Sequence, residues 1–153
     1  MKSGDIEELG AGDQGLMFGY ATDETQEFLP LSYVLATKLL LKLKELRVNK
    51  TISWLKPDAK SQITMKYKID SKGKLEPLYV DYALISTQHE KGTSLATIRE
   101  TIKNQVMLEV IDSKYITKDT KFLINPSKSF VVGGPLGDSG VTGRKIICDT
   151  YGG

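Results

Sequence analysis

Ile63, Met65, Tyr67 and Ile69 alternate with Thr64, Lys66 and Lys68. A period of two places the first set on one face of an extended chain and the second on the other, so this stretch reads as a half-exposed strand. Asp70-Ser71-Lys72-Gly73-Lys74 supplies turn residues, and a second extended run from Leu78 to Ile85 follows, so 63–85 predicts an antiparallel hairpin. A hairpin with one apolar face needs a layer to cover it. Two amphipathic helices are on offer. Behind Pro30, a residue best tolerated at a helix start, Leu31, Val34, Leu35, Leu39, Leu43 and Leu46 recur at helical spacing. After Thr93 or Ser94, either of which can cap, come Leu95, Ile98, Ile102, Val106 and Val110. Residues 54–62 read as a break between helix and hairpin. Further extended segments are expected at Leu16–Ala21, Phe122–Ile124 and Ser129–Val132, and Ile146-Ile147-Cys148 reads as a short buried strand. The expected class is α+β, with two helices packed on one face of a mostly antiparallel sheet.

Composition narrows the function classes. At 153 residues, 40% hydrophobic and 26% charged, the chain matches one soluble globular domain with its own core. It has no apolar run near membrane-spanning length and no secretory leader, so a cytoplasmic protein without a membrane partner is expected. Cys148 is the single cysteine and His89 the single histidine, which leaves no Cys/His cluster for a metal and no internal disulfide. His89 reads as a structural or surface residue rather than a general base. Net charge is only +2, yet Lys38, Lys42, Lys44, Arg47, Lys50, Lys56, Lys60, Lys66 and Lys68 crowd one region. They fall on polar sides of amphipathic elements without interleaved aromatics for base stacking, so no nucleic-acid partner is expected.

The charged residues left on expected loops are Asp13, Asp58, Lys60, Asp138, Arg144 and Lys145. Two of the loops are glycine-rich. Gly133-Gly134-Pro135-Leu136-Gly137-Asp138-Ser139-Gly140-Val141-Thr142-Gly143 allows close backbone approach, and Arg144-Lys145 adds two positive charges, a combination that suits a polyphosphate. The spacing is not that of a Walker loop. Gly137-Asp138-Ser139-Gly140 also matches the nucleophile segment of trypsin-like proteases, with His89, Asp112 and Ser139 in that family's order. That reading fails on length, on the two helical patterns, and on Val141 and Thr142 where the family has glycine and proline.

Gly10-Ala11-Gly12-Asp13-Gln14-Gly15-Leu16-Met17-Phe18-Gly19-Tyr20-Ala21 and the 133–145 loop with its Asp149-Thr150-Tyr151-Gly152-Gly153 tail resemble the two signature segments of S-adenosylmethionine synthetases. Pro57-Asp58-Ala59-Lys60-Ser61-Gln62 and Ser86-Thr87-Gln88-His89 fall between them in the family's order and spacing. The resemblance implies one of the three similar domains of that fold. Residues 1–132 would be the central domain, and 133–153 a glycine-rich phosphate loop with the first strand of the C-terminal domain, truncated.

It also implies methionine adenosyltransferase chemistry, in which ATP and L-methionine give S-adenosylmethionine, phosphate and pyrophosphate. Lys60, Arg144 and Lys145 would be catalytic, holding phosphate oxygens. Asp58 would bind the nucleoside, Ser129 and Phe130 would meet the adenine, Asp138 would face ATP and the methionine amino group, and Asp13 would line the same site. The family's magnesium and potassium ligands are expected outside these residues, and the full-length family forms homodimers or homotetramers. By themselves the 153 residues are expected to make no S-adenosylmethionine. The alternative is a catalytically silent nucleotide-binding or subunit-contact fragment of that enzyme.

Overall fold

The computed structural model describes residues 15, 17, 19–140 and 143–150. Helix α1 (Leu31–Val48) begins directly after Pro30 and buries all six residues of the leucine stripe. Pro30 offers no side-chain cap, and Glu24 supplies one from seven residues upstream: its Oε2 accepts the Leu31 N–H at 3.1 Å. The same oxygen accepts the Tyr67 hydroxyl at 2.9 Å, tying the helix start to the hairpin. Burial, reinforced by the Glu24 carboxylate, holds the Tyr67 phenol well above its ordinary pKa.

The hairpin comprises β1 (Leu55–Ile69) and β2 (Leu75–His89), paired antiparallel. Its turn is held by Asp70, whose Oδ1 accepts the N–H groups of Lys72 and Lys74 at 2.8 Å, while Gly73 takes a φ of +81°. Both strands run further than the alternation suggests. Residues 55–62, expected as a break, belong to β1, so Asp58 and Lys60 project from a strand and not from a loop. Pro57 is tolerated because β1 pairs only with β2 among the described residues, and the register shifts between Leu55 and Ala59. At the far end Ser86–His89 continue β2, and Glu90 N–H closes the hairpin on the Trp54 carbonyl at 2.9 Å.

Helix α2 (Leu95–Ile102) starts at Ser94, whose Oγ accepts the Thr97 N–H at 3.0 Å. Ser94→Ala is expected to cost about 1 kcal/mol of stability in urea unfolding. A π-turn (Lys103–Met107) follows, and the three-residue helix α3 (Leu108–Val110) completes the run. The widened turn rotates the apolar face, so Met107 and Ile111 join Ile98, Ile102 and Val106 in the core while Val110 and Leu95 are only half-buried. Strand β3 (Lys121–Ile124) lies parallel to β2, giving a three-stranded sheet in the order β1-β2-β3. One apolar cluster joins α1, the 98–111 helical run and the inner sheet face, with Leu39, Val80, Ala83 and Ile85 fully enclosed. This is the expected α+β arrangement.

Two expected strands are not formed, and none of the described residues of a third lies in a strand. Met17 and Gly19–Ala21 lie outside any strand, with Met17 94% exposed, while Leu16 and Phe18 are outside the described residues. Ser129–Val132 runs irregularly along the end of β2. Ile146–Asp149 form a single helical turn, α4, with Ile146 68% and Ile147 64% exposed and Cys148 exposed. Three apolar residues form a buried strand only when a sheet edge receives them, and no described element does so here.

Candidate functional site

The extension of β1 and β2 brings Asp58 and Gln88 side by side, with the Asp58 N–H donating to Gln88 Oε1 at 3.4 Å. The chain returns to this end of the hairpin after β3 through a turn at Asn125, Pro126 and Ser127. Gln88 Nε2 then donates to the Val131 carbonyl at 3.0 Å, and Asp58 Oδ2 accepts the Gly134 N–H at 2.9 Å. Beyond Gly134 a 3₁₀ turn (Gly134–Leu136) folds the loop back, with the Gly137 and Asp138 N–H groups both donating to the Gly134 carbonyl.

These contacts enclose a cleft of about 460 Å³ lined by Pro57, Asp58, Lys60, Phe130, Gly133 and Asp138, among others. Gly133 forms its tightest point. A Cβ there would lie 2.9 Å from Asp58 Oδ2, 3.0 Å from Gln88 Cδ and 3.0 Å from Phe130 Cε2. Its φ of −157° is ordinary extended backbone, so space and not conformation selects glycine.

Four of the expected site residues, Asp58, Lys60, Phe130 and Asp138, therefore converge from three separate stretches of chain. Ser129 faces elsewhere: it lines a shallow depression of about 300 Å³ with Lys91, Gly92 and Lys128. Arg144 and Lys145 are exposed and do not line the cleft. Asp13 lies outside the described residues. Gln88 and Gly133 carry no expected role of their own, although Gly133 opens the glycine-rich loop and period-two alternation carried past Ile85 sets Gln88 on the same face as Leu84 and Ser86.

His89 is buried, and both ring nitrogens are engaged: Nδ1 lies 2.9 Å from the Glu90 carbonyl oxygen, and Nε2 accepts the Phe130 N–H at 3.1 Å. Buried at the end of β2, it has the structural role, of the structural or surface roles expected of it. Asp112 is spent on its own turn, accepting the Lys114 N–H at 3.0 Å.

Within the basic stretch, Lys38 pairs with Glu27, Lys42 with Glu45, Lys56 with Glu90 and Lys66 with Asp81. Among the described residues no three His, Cys, Asp or Glu side chains group as they could around a metal ion. No described helix is long and apolar enough to cross a membrane. A larger open groove of about 610 Å³ between α2 and β3, lined by Arg99, Lys103 and Phe122 among others, contains none of the expected site residues.

A family model described as S-adenosylmethionine synthetase, central domain, matches residues 8–130. A second, described as S-adenosylmethionine synthetase, C-terminal domain, matches residues 132–153. The two matches meet in the loop that closes the cleft, between Phe130 and Val132, and the first alone spans most of the chain. The chain belongs to the S-adenosylmethionine synthetase family.

Proposed function

We propose that the cleft between Asp58 and the 130–138 loop binds the nucleoside end of ATP, in an enzyme that transfers the adenosyl group to the sulfur of L-methionine. The observation that carries this reading is the convergence of Asp58, Lys60, Phe130 and Asp138 on one glycine-walled cleft. Phe130 offers an aromatic face to a purine. Asp58 spends Oδ2 on Gly134, and among the described residues Oδ1 accepts no hydrogen bond, so it can take one from a ribose hydroxyl or an exocyclic amine. Lys60 stands two residues along the same strand face as Asp58, where it can meet a phosphate oxygen, and Asp138 can attract the methionine ammonium.

The chemistry suits such a site. A thioether sulfur is already an unprotonated nucleophile, so attack on the ribose carbon calls for no general base, and a histidine with both nitrogens committed is no handicap. The demand falls on the departing triphosphate. A cation about 4 Å from a phosphate charge is worth about 4 kcal/mol at an effective dielectric near 20. Lys60 is the one cation lining this cleft among the described residues. Arg144 and Lys145 do not line the cleft, and they would add to Lys60 only at phosphates that extend beyond it.

The scarcity of cations is also what favours a second reading, a fragment that binds nucleotide or a partner subunit without catalysis. Exposed Leu136, Ile146 and Ile147 beside the loop would serve a homo-oligomer contact. The single cysteine suits a reducing, cytoplasmic setting.

Calorimetry with magnesium-ATP, a non-hydrolysable analogue and single-stranded RNA tests the reading. ATP and the analogue should bind alike, and Lys60→Met should weaken both about tenfold, the equivalent of one charge-assisted contact. Salt-sensitive RNA binding tighter than ATP, or no ATP binding at millimolar concentration, would overturn it.

A further inference from the structure

Phe130 is held by one residue at both of its backbone polar groups. The His89 N–H donates to the Phe130 carbonyl at 3.0 Å, and the Phe130 N–H donates to His89 Nε2 at 3.1 Å. A ring nitrogen accepts only when it carries no proton. Nδ1 faces the Glu90 carbonyl oxygen at 2.9 Å, which can only accept, so the ring proton sits on Nδ1. His89 is 5% exposed, and its partners leave one tautomer that satisfies all three contacts. On the other side of the strand, Gln88 ties the next residue, Val131, to Asp58.

We propose that His89 is a positioning residue for the cleft: its neutral, Nδ1-protonated imidazole latches the 130–134 loop to the end of β2 and sets the Phe130 ring where a flat purine stacks. The proposal rests on the nucleotide reading for its ligand and on the hydrogen bonds alone for the latch. The imidazole touches no bound ligand and moves no proton. Its effect passes through Phe130 and, with Gln88, through the placement of Gly133 and Gly134 against Asp58.

The test uses the whole 153-residue chain, wild type, His89→Ala and His89→Gln. A glutamine side chain reaches the position of Nε2 with a carbonyl oxygen, so it restores the acceptor for the Phe130 N–H. Imidazole nitrogen-15 spectra of the wild type should show the proton on Nδ1. Amide hydrogen exchange at Phe130 should rise about tenfold in His89→Ala, with little change at Ile63 or Ala83 in the hairpin core. Magnesium-ATP should bind about three- to tenfold more weakly to His89→Ala and near wild-type strength to His89→Gln, because one neutral hydrogen bond separates them.

A proton on Nε2, unchanged exchange at Phe130, or equal losses of affinity in both variants would each overturn the latch. If the wild type itself ignores ATP, the nucleotide reading and the purine role fail with it, whereas tautomer and exchange still decide whether the loop is latched. Should His89→Ala not fold, the tautomer and His89→Gln settle the matter.

Discussion

Asn125→Ala is expected to lower the unfolding free energy by about 3 kcal/mol, because it strips partners from two buried backbone groups at about 1–3 kcal/mol each. Strand β3 ends at Ile124, and the chain turns away with Asn125 in the left-handed region at a φ of +43°. Its side chain then does what the next strand residue would have done. Oδ1 accepts the Thr87 N–H at 2.9 Å and Nδ2 donates to the Thr87 carbonyl at 3.0 Å, while its own N–H reaches the Ile85 carbonyl at 2.9 Å. Both Asn125 and Thr87 are completely buried, so water cannot replace the lost bonds. Alanine also tolerates the left-handed backbone less well than asparagine.

Asn125→Asp keeps one acceptor but sets an oxygen against the Thr87 carbonyl, and should be at least as harmful. Ser127→Ala, in the exposed part of the same turn, should be close to neutral. Urea unfolding followed by Trp54 fluorescence measures all three, and a loss under about 1 kcal/mol in Asn125→Ala would refute the argument, since that is the net value of a single replaceable hydrogen bond. Thr87 immediately precedes Gln88 and His89, so the variant should also loosen the 130–134 loop.

Gly133→Ala is expected to weaken magnesium-ATP binding about tenfold to a hundredfold, since overpacking costs about 1–3 kcal/mol and a factor of ten corresponds to about 1.4. The new methyl group would meet Asp58, Gln88 and Phe130 within 3.0 Å, and all three belong to the wall of the cleft or its support. Relief requires the Asp58 carboxylate, the Gln88 amide and the Phe130 ring all to give way, which disturbs the wall that faces the ligand. Gly140→Ala is the control, because a Cβ there meets nothing within 4 Å. Stability of Gly133→Ala should fall by less than that of Asn125→Ala, since the loop lies outside the apolar cluster. Unaltered ATP affinity in a folded Gly133→Ala protein would place the ligand elsewhere.

Local order was legible in the residues. The six-residue stripe of α1 is wholly buried, because helical periodicity is a property of neighbours along the chain. The hairpin and its turn are likewise encoded within a few residues, by alternation and by Asp70 and Gly73. Family membership was legible too, carried by two glycine-rich segments and the Pro57-Asp58-Ala59-Lys60 stretch. What depends on distant partners was not. Pro57 reads as a break, yet lies inside β1, because an edge strand with shifted register has no need of that N–H. Met107 and Ile111 entered the core through a π-turn that no apolar spacing announces. Ile146-Ile147-Cys148 has the residues of a strand and forms an exposed helical turn without a sheet edge to receive it. The cleft is the clearest case. Asp58 and Gly134 are 76 residues apart, and their hydrogen bond exists only because β2 runs on to His89 and the returning chain is pinned there at Phe130. Sequence named residues suited to nucleotide chemistry; long-range hydrogen bonds, which leave no periodic trace in the chain, decided that Asp58, Lys60, Phe130 and Asp138 meet while Ser129, Arg144 and Lys145 stand apart.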